Sequence, residues 1–193
     1  MKKYVLLTVA LLITAIAPAC AEQTAGGNGE EASARLQGDA GAADAVKRIS
    51  AEYDILGVEG DVIGHVELVD GAGGVLIKAE IEGLVPGEHG FHLHETGRCE
   101  PPFTSAGGHY NPDGTVHGLL SEGGPHAGDL PNLVVGEGAS IAHGHAFADG
   151  LSVAELQEDD GSALVIHAGA DDYRTDPAGA AGERVACAAI VEE

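Results

Sequence analysis

Two histidines flank a single leucine in GFHLHETGRC, residues 90–99. In an extended strand residues i and i+2 share a face, so His92 and His94 present two imidazoles side by side. That arrangement suits one metal ion. It also suits two ordinary surface histidines, and the pair alone does not choose. The chain then repeats the theme: His109 in GGHYNP, His117 in TVHGLL, His126 and Asp129 in GGPHAGDLPN, and His167 in LVIHAGADD with Asp171 just beyond. Neutral imidazole suits zinc and copper, and a lone carboxylate among histidines suits zinc. Six of these histidines and Asp129 make seven donors. Seven are too many for one tetrahedral ion and about right for two neighbouring ions that share a ligand.

The elements that must hold these donors read as β. DVIGHVELVD (61–70) alternates, with Val62, Gly64, Val66 and Leu68 on the inward parity. VLIKAEIEGL (75–84) does so with Val75, Ile77, Ala79 and Ile81, and GAGG between them is a turn. Further strand-like runs fall at 132–135, 140–147, 163–168 and 184–191. Short strands joined by Gly-rich turns indicate an antiparallel sandwich or barrel. From Glu95 to Pro131 there is no strand or helix pattern, only a long loop carrying Cys99, His109, His117 and His126. A loop of that length in a compact domain is usually functional. A metal and a disulfide would organise it from within.

The first residues form a targeting segment. Lys2 and Lys3 precede YVLLTVALLITAIA, an apolar core of signal-peptide length, and residues 1–19 are read as a signal peptide. APAC resembles a lipobox, in which Cys20 is lipidated and becomes the mature N-terminus. Ordinary cleavage after Ala19 or Ala21, without lipid, is the alternative. The chain has three cysteines, and an odd number in an exported protein calls for an explanation. With Cys20 lipidated, Cys99 and Cys187 remain as a pair suited to a disulfide in an oxidising compartment. Residues 20–45 are then a lipobox cysteine and a disordered tether, poor in large apolar side chains. The folded domain spans 46–193. Nine Lys and Arg against 31 Asp and Glu give a formal charge of −22, which argues against nucleic acid as a partner.

The elements GFHLHE, CEPPFTSAGGHYNP, HGLLSEGGPHAGDLPN, LVIHAGADDY and GERVACAAI, in this order and at these separations, resemble the bacterial copper,zinc superoxide dismutases. The resemblance covers most of the chain after the tether. It implies an eight-stranded antiparallel Greek-key β-barrel or sandwich with long metal-binding loops. One copper per subunit would sit on His92, His94, His109 and His167, and one zinc on His109, His117, His126 and Asp129, with His109 bridging. Asp171 would hydrogen-bond the ligands His92 and His117 and fix their orientation. Arg184 would hold the superoxide anion beside copper, and His109 would carry a proton. The implied reaction converts two superoxide anions and two protons to O₂ and hydrogen peroxide by alternate reduction and oxidation of copper, protecting the cell envelope. A non-enzymatic copper-binding or copper-delivery module on the same fold is the alternative. The expected address is exported, periplasmic or cell-surface, touching the membrane only through the N-terminal lipid, as a monomer or homodimer.

Other residues have plainer readings. His65, His143 and His145 lie outside the motifs, as surface or structural histidines, and His89 reads as a structural histidine at a turn. Asp171 and Asp172 could both be solvated loop carboxylates on their residue type alone. The segment 168–183 departs from the family pattern, with no lysine and Arg174 as its only cation. Removing Lys2 and Lys3 with the leader leaves seven cations against 31 carboxylates, a charge of −24. Long-range guidance of an anion is therefore weak, and charge close to copper must act instead.

Overall fold

The computed structural model describes residues 50–192; the leader, Cys20, the tether and the domain start at Val46 lie outside them. Its strands are β1 (Ser50–Gly57), β2 (Val62–Gly71), β3 (Gly74–Glu82), β4 (Gly87–His89), β5 (Phe91–His94), β6 (Leu133–Val135), β7 (Ile141–Asp149), β8 (Ser162–His167) and β9 (Arg184–Ile190). Seven join in the order β5-β8-β9-β1-β2-β3-β7, and β4 pairs with β6. All pairings are antiparallel. Only Gly90 separates β4 from β5, so the two form one strand that changes partner at that glycine. Counted so, the strands number eight, as the resemblance implies. Because β3 pairs with β7 rather than with β4, the order crosses over as in a Greek key, and β6 packs against β7 to curl the sheet toward closure.

Period-two alternation explains the core. Val75, Ile77, Ala79 and Ile81 of β3 are all buried, as are Val66 and Leu68 of β2. Each fully buried aliphatic side chain contributes roughly 1.5–3 kcal/mol. Val62, expected inward, is 57 % exposed. The reason is a bulge: Ile55 pairs with Gly64 but Leu56 pairs with Val62, so Ile63 is an extra residue. An extra residue reverses the side-chain parity beyond it, and Ile63 packs against the core in place of Val62.

Three elements were not marked by the sequence pattern. The short β4 falls where a turn was expected around His89. Another is β1, whose Tyr53 and Ile55 face inward between exposed Glu52 and Asp54. The third is a single helical turn, α1 (Val153–Leu156), whose first turn is capped by Ser152 accepting from the Glu155 N–H. The long loop between β5 and β6 holds only a 3₁₀ turn at Thr104–Ala106.

Two clusters share the β8 strand. Leu164 and Ile166 point into the main barrel core with Phe91 and Leu93. Ala163 and Val165 point the other way, into a small second cluster with Phe103, Ala106 and Cys187. β8 is therefore buried on both faces, because the long loop lies over its outer side. Cys99 and Cys187 form a disulfide across a sequence separation of 88 residues, tying the start of that loop to β9.

Candidate metal centre

The same alternation builds the site. Phe91 and Leu93 enter the barrel core, so His92 and His94 must turn to the outer face, where the loop covers them and leaves every β5 residue buried. The loop is sewn to the β5 edge by its backbone. Leu93 N–H donates to Gly128 O at 2.9 Å and Tyr110 N–H donates to Leu93 O at 2.8 Å. This sets His109 beside His94 and Asp129 beside His92 in isolated bridges. His167 ends β8 at a second bulge: Ile166 pairs with Ala186, but His167 pairs with Arg184. Val185 is the extra residue, and skipping it brings Arg184 directly across from His167.

The donors predicted from sequence gather into two groups. One is His92, His94, His109 and His167; the other is His109, His117, His126 and Asp129. Within each, one ligand atom per residue lies within 4.8 Å of every other, and His109 belongs to both. In the second group Asp129 Oδ1 lies 2.7 Å from His109 Nδ1, 3.1 Å from His117 Nδ1 and 3.2 Å from His126 Nδ1. Its Oδ2 accepts the N–H groups of Gly118 and His126 at 2.8 and 3.0 Å.

In the first group the nitrogens facing away from the centre are fixed. His92 Nε2 is 2.8 Å from Asp171 Oδ2, His94 Nδ1 is 3.1 Å from Gly107 O, and His167 Nδ1 is 3.0 Å from Gly182 O. The inward nitrogens are His92 Nδ1, His94 Nε2, His109 Nε2 and His167 Nε2. They are the buried side-chain atoms without a hydrogen-bond partner among the described residues. Leaving a buried polar atom unpaired costs about 1–3 kcal/mol. Four such atoms in one group therefore fit a nitrogen-bound cation of the copper or zinc kind. Three nitrogens and one carboxylate oxygen in the other group fit zinc.

Asp171 ties the two groups together, since its Oδ1 is 3.1 Å from His117 Nε2 and its side chain is 1 % exposed. Asn132 clamps its backbone, accepting the Asp171 N–H at 2.9 Å and donating to Asp171 O at 2.9 Å. The Tyr173 hydroxyl in turn accepts the Asn132 N–H at 2.8 Å. Gly179, at φ +65°, approaches so closely that a Cβ there would collide with Asp171 Oδ1. Asp172, by contrast, is exposed and accepts from Arg174 N–H and Thr175 N–H, the solvated loop carboxylate of the pair.

Ionisation favours ligation. Burial, reinforced by the neighbouring His109 and Arg184 charges, holds His94 well below its ordinary pKa. Burial likewise lowers His167 to about 4, so both rings are neutral near pH 7 and keep a lone pair for a metal. Burial alone would raise Asp171, but its hydrogen bonds to His92, Tyr173 N–H and His117 outweigh that and hold it at about 2. The same contest, won by the His109 hydrogen bond and the N–H groups of Gly118 and His126, keeps Asp129 ionised. Arg184 Nη1 donates to Phe103 O and Nη2 to Gly107 O, both at 2.6 Å. With Pro102, Thr104, Gly182 and Glu183 it lines a surface depression of about 560 Å³.

Residues 62–190 match the family described as copper/zinc superoxide dismutase (SODC). The chain belongs to that family. It is 46 % identical over 149 residues to "Superoxide dismutase [Cu-Zn] 2" of Aquifex aeolicus, covering 74 % of this chain and 86 % of that one. It is 42 % identical over 139 residues to "Superoxide dismutase [Cu-Zn]" of Caulobacter vibrioides, covering 68 % and 80 %. Among solved structures, the Cu/Zn superoxide dismutase from Brucella abortus superposes with a TM-score of 0.63 at 33 % identity, covering 74 % of this chain and 99 % of that one. A SOD-like protein from Bacillus subtilis superposes with a TM-score of 0.69 at 36 % identity, covering 72 % and 97 %.

Within this superoxide dismutase chain several supporting residues were not marked by sequence reasoning. Gly107 and Gly182 act through carbonyl oxygens, which carry no side-chain signature. Asn132 and Tyr173 lie in matching motifs but have no metal-binding atoms to draw attention. His89, expected at a turn, is instead buried on β4, with Nδ1 2.7 Å from His167 O and Nε2 2.9 Å from Val85 O. It braces the backbone of His167.

Proposed function

We propose that this superoxide dismutase holds copper on His92 Nδ1, His94 Nε2, His109 Nε2 and His167 Nε2. Zinc sits on Nδ1 of His109, His117 and His126 with Asp129 Oδ1. The observation that carries the assignment is the set of four unpartnered buried nitrogens, all of them in one group. Bound copper supplies the one-electron change in each direction, which zinc with its single oxidation state cannot. Arg184 binds the substrate: two of its nitrogens are anchored on carbonyls, and its remaining N–H donors would serve an anion beside His167, which Arg184 stands across from in the sheet. When His109 Nε2 is not engaged by copper it would hold the proton that goes to peroxide, while its Nδ1 stays engaged beside Asp129. Asp171 keeps His92 and His117 in the tautomer and orientation that ligation needs. Two superoxide anions and two protons thus give O₂ and hydrogen peroxide. A copper-delivery module would need no substrate-binding arginine, and the presence of Arg184 opposite His167 favours the enzyme.

One purified sample, assayed for superoxide disappearance and for metal content, tests this. The expected result is one copper and one zinc per chain, with activity lost on chelation and restored by copper. Fully metallated protein without activity would overturn it.

The disulfide supports export, since such bonds persist in oxidising compartments. The address follows from the leader: the mature chain begins at a lipidated Cys20 and is anchored to the envelope. Mass spectrometry of the mature N-terminus tests that, and Cys20→Ser should move the protein from the detergent-extracted to the soluble fraction. An unmodified terminus at Ala21 or Glu22 would overturn the anchor and leave the enzyme standing.

A further inference from the structure

The chain has ten histidines. Six make up the two buried groups, and His89 braces His167. The three left over, His65, His143 and His145, all line one small surface depression of about 130 Å³. It lies on the outer face of the β2–β3–β7 wall, on strands that contribute no residue to the buried groups. Cross-strand register puts them there. His65 of β2 stands opposite Glu80 of β3, and Glu80 stands opposite His143 of β7. The carboxylate therefore sits between two imidazoles, one oxygen toward each.

We propose that His65, Glu80 and His143 form a third site, exposed and exchangeable, for a divalent transition cation such as Zn²⁺. Each imidazole stands near the carboxylate without bonding to it. His65 Nε2 is 3.8 Å from Glu80 Oε2, and His143 Nδ1 is 3.5 Å from Glu80 Oε1. Both are long for a hydrogen bond. Two ligands of one tetrahedral zinc, each about 2.0–2.1 Å from the metal, stand roughly 3.4 Å apart. In their present rotamers the three donors do not gather as the buried groups do, which alone among the described residues bring one ligand atom each within 4.8 Å of every other. The imidazole and carboxylate side chains are about half exposed, at 45 %, 51 % and 56 %, so the site closes by a rotamer change in each ring, without disturbing the core. Two nitrogens and one oxygen leave a coordination position for water, which is what makes an ion exchangeable.

The surroundings favour a cation. Glu52 and Glu67 line the same depression, and Asp54 stands opposite His65 on β1. The one cation in the lining, Lys78, is drawn aside by Glu67 at 2.9 Å. His145, opposite Lys78, flanks the site on the next row.

The test uses the full chain already loaded with copper and zinc, dialysed to equilibrium against Zn²⁺ and analysed for both metals. Wild-type protein should take up a saturable third equivalent of metal. His65→Ala/His143→Ala should stop at two, with the copper spectrum and superoxide activity unchanged, because neither residue touches the buried groups. Glu80→Gln should weaken uptake without moving activity. Wild-type protein that saturates at two equivalents, or a third equivalent that survives the double histidine variant, would overturn the site and leave the enzyme assignment untouched.

Discussion

Gly179→Ala should unlock the metal centre without replacing a ligand. Two effects act at this position. An L side chain at φ +65° costs roughly 1–2 kcal/mol. The added Cβ also collides with Asp171 Oδ1, and the carboxylate cannot retreat while keeping its bonds to His92 at 2.8 Å and His117 at 3.1 Å. Hydrogen bonds to charged groups are worth about 1.5–3 kcal/mol each, so the total loss is on the order of 4 kcal/mol or more. Gly138→Ala is the control, since Gly138 has φ +72° and nothing near its would-be Cβ; it should cost only the strain. At roughly 2–4 °C per kcal/mol for a chain of this size, the control should melt a few degrees low and Gly179→Ala about 10 °C low. Chelator competition should strip zinc and copper faster from Gly179→Ala alone. In an Asp171→Ala background most of the extra cost should vanish, because the severe collision with the carboxylate is gone and only the closer-than-normal approach to His117 Nε2 at 2.9 Å remains. Equal losses for the two glycine variants, or the same Gly179→Ala cost in both backgrounds, would refute the reasoning.

Arg184→Ala should lower the second-order rate with superoxide about tenfold or more, on the order of 1.4 kcal/mol of anion stabilisation, with copper content unchanged. Arg184→Glu should be worse and should recover relative to wild type as salt rises; pulse radiolysis of metallated samples at several ionic strengths reads both. Replacing Cys99 and Cys187 by serine should destabilise the domain by roughly 4–5 kcal/mol through loop closure, measured by urea unfolding with both metals bound. For metal-free protein, the His167 pKa is depressed from 6.5 to about 4 on folding. The unfolded chain then binds the extra proton between those values. Stability from this group should be complete above pH 6.5 and fall by on the order of 3 kcal/mol as pH drops to about 4, and a flat urea midpoint across that window would refute it.

The donor set was legible in sequence because ligation leaves a residue-type signature: six histidines and Asp129 at fixed intervals. The strands were legible where alternation was unbroken, as in β3. Both bulges escaped it. The one beside Ile63 reversed the expected side of Val62, since an extra residue is invisible until the partner strand is in place. The one at Val185 sets Arg184 against His167, and nothing in GERVACAAI announces that register. β1 was missed because only two of its inward residues, Tyr53 and Ile55, are large. The supporting carbonyls of Gly107 and Gly182 and the close approach of Gly179 depend on backbone path alone, which side-chain chemistry does not encode.

His109 belongs to both ligand groups, and Asp171 joins their outer nitrogens. An ion seated in one group therefore orients a ring that the other needs. Thermodynamic reciprocity then applies: if zinc raises copper affinity by some factor, copper must raise zinc affinity by the same factor. Where that factor exceeds one, half-loaded chains would be fewer than two independent sites would give. The sharing of one imidazole and one carboxylate would then make metal loading cooperative, so that losing either ion would loosen the hold on the other.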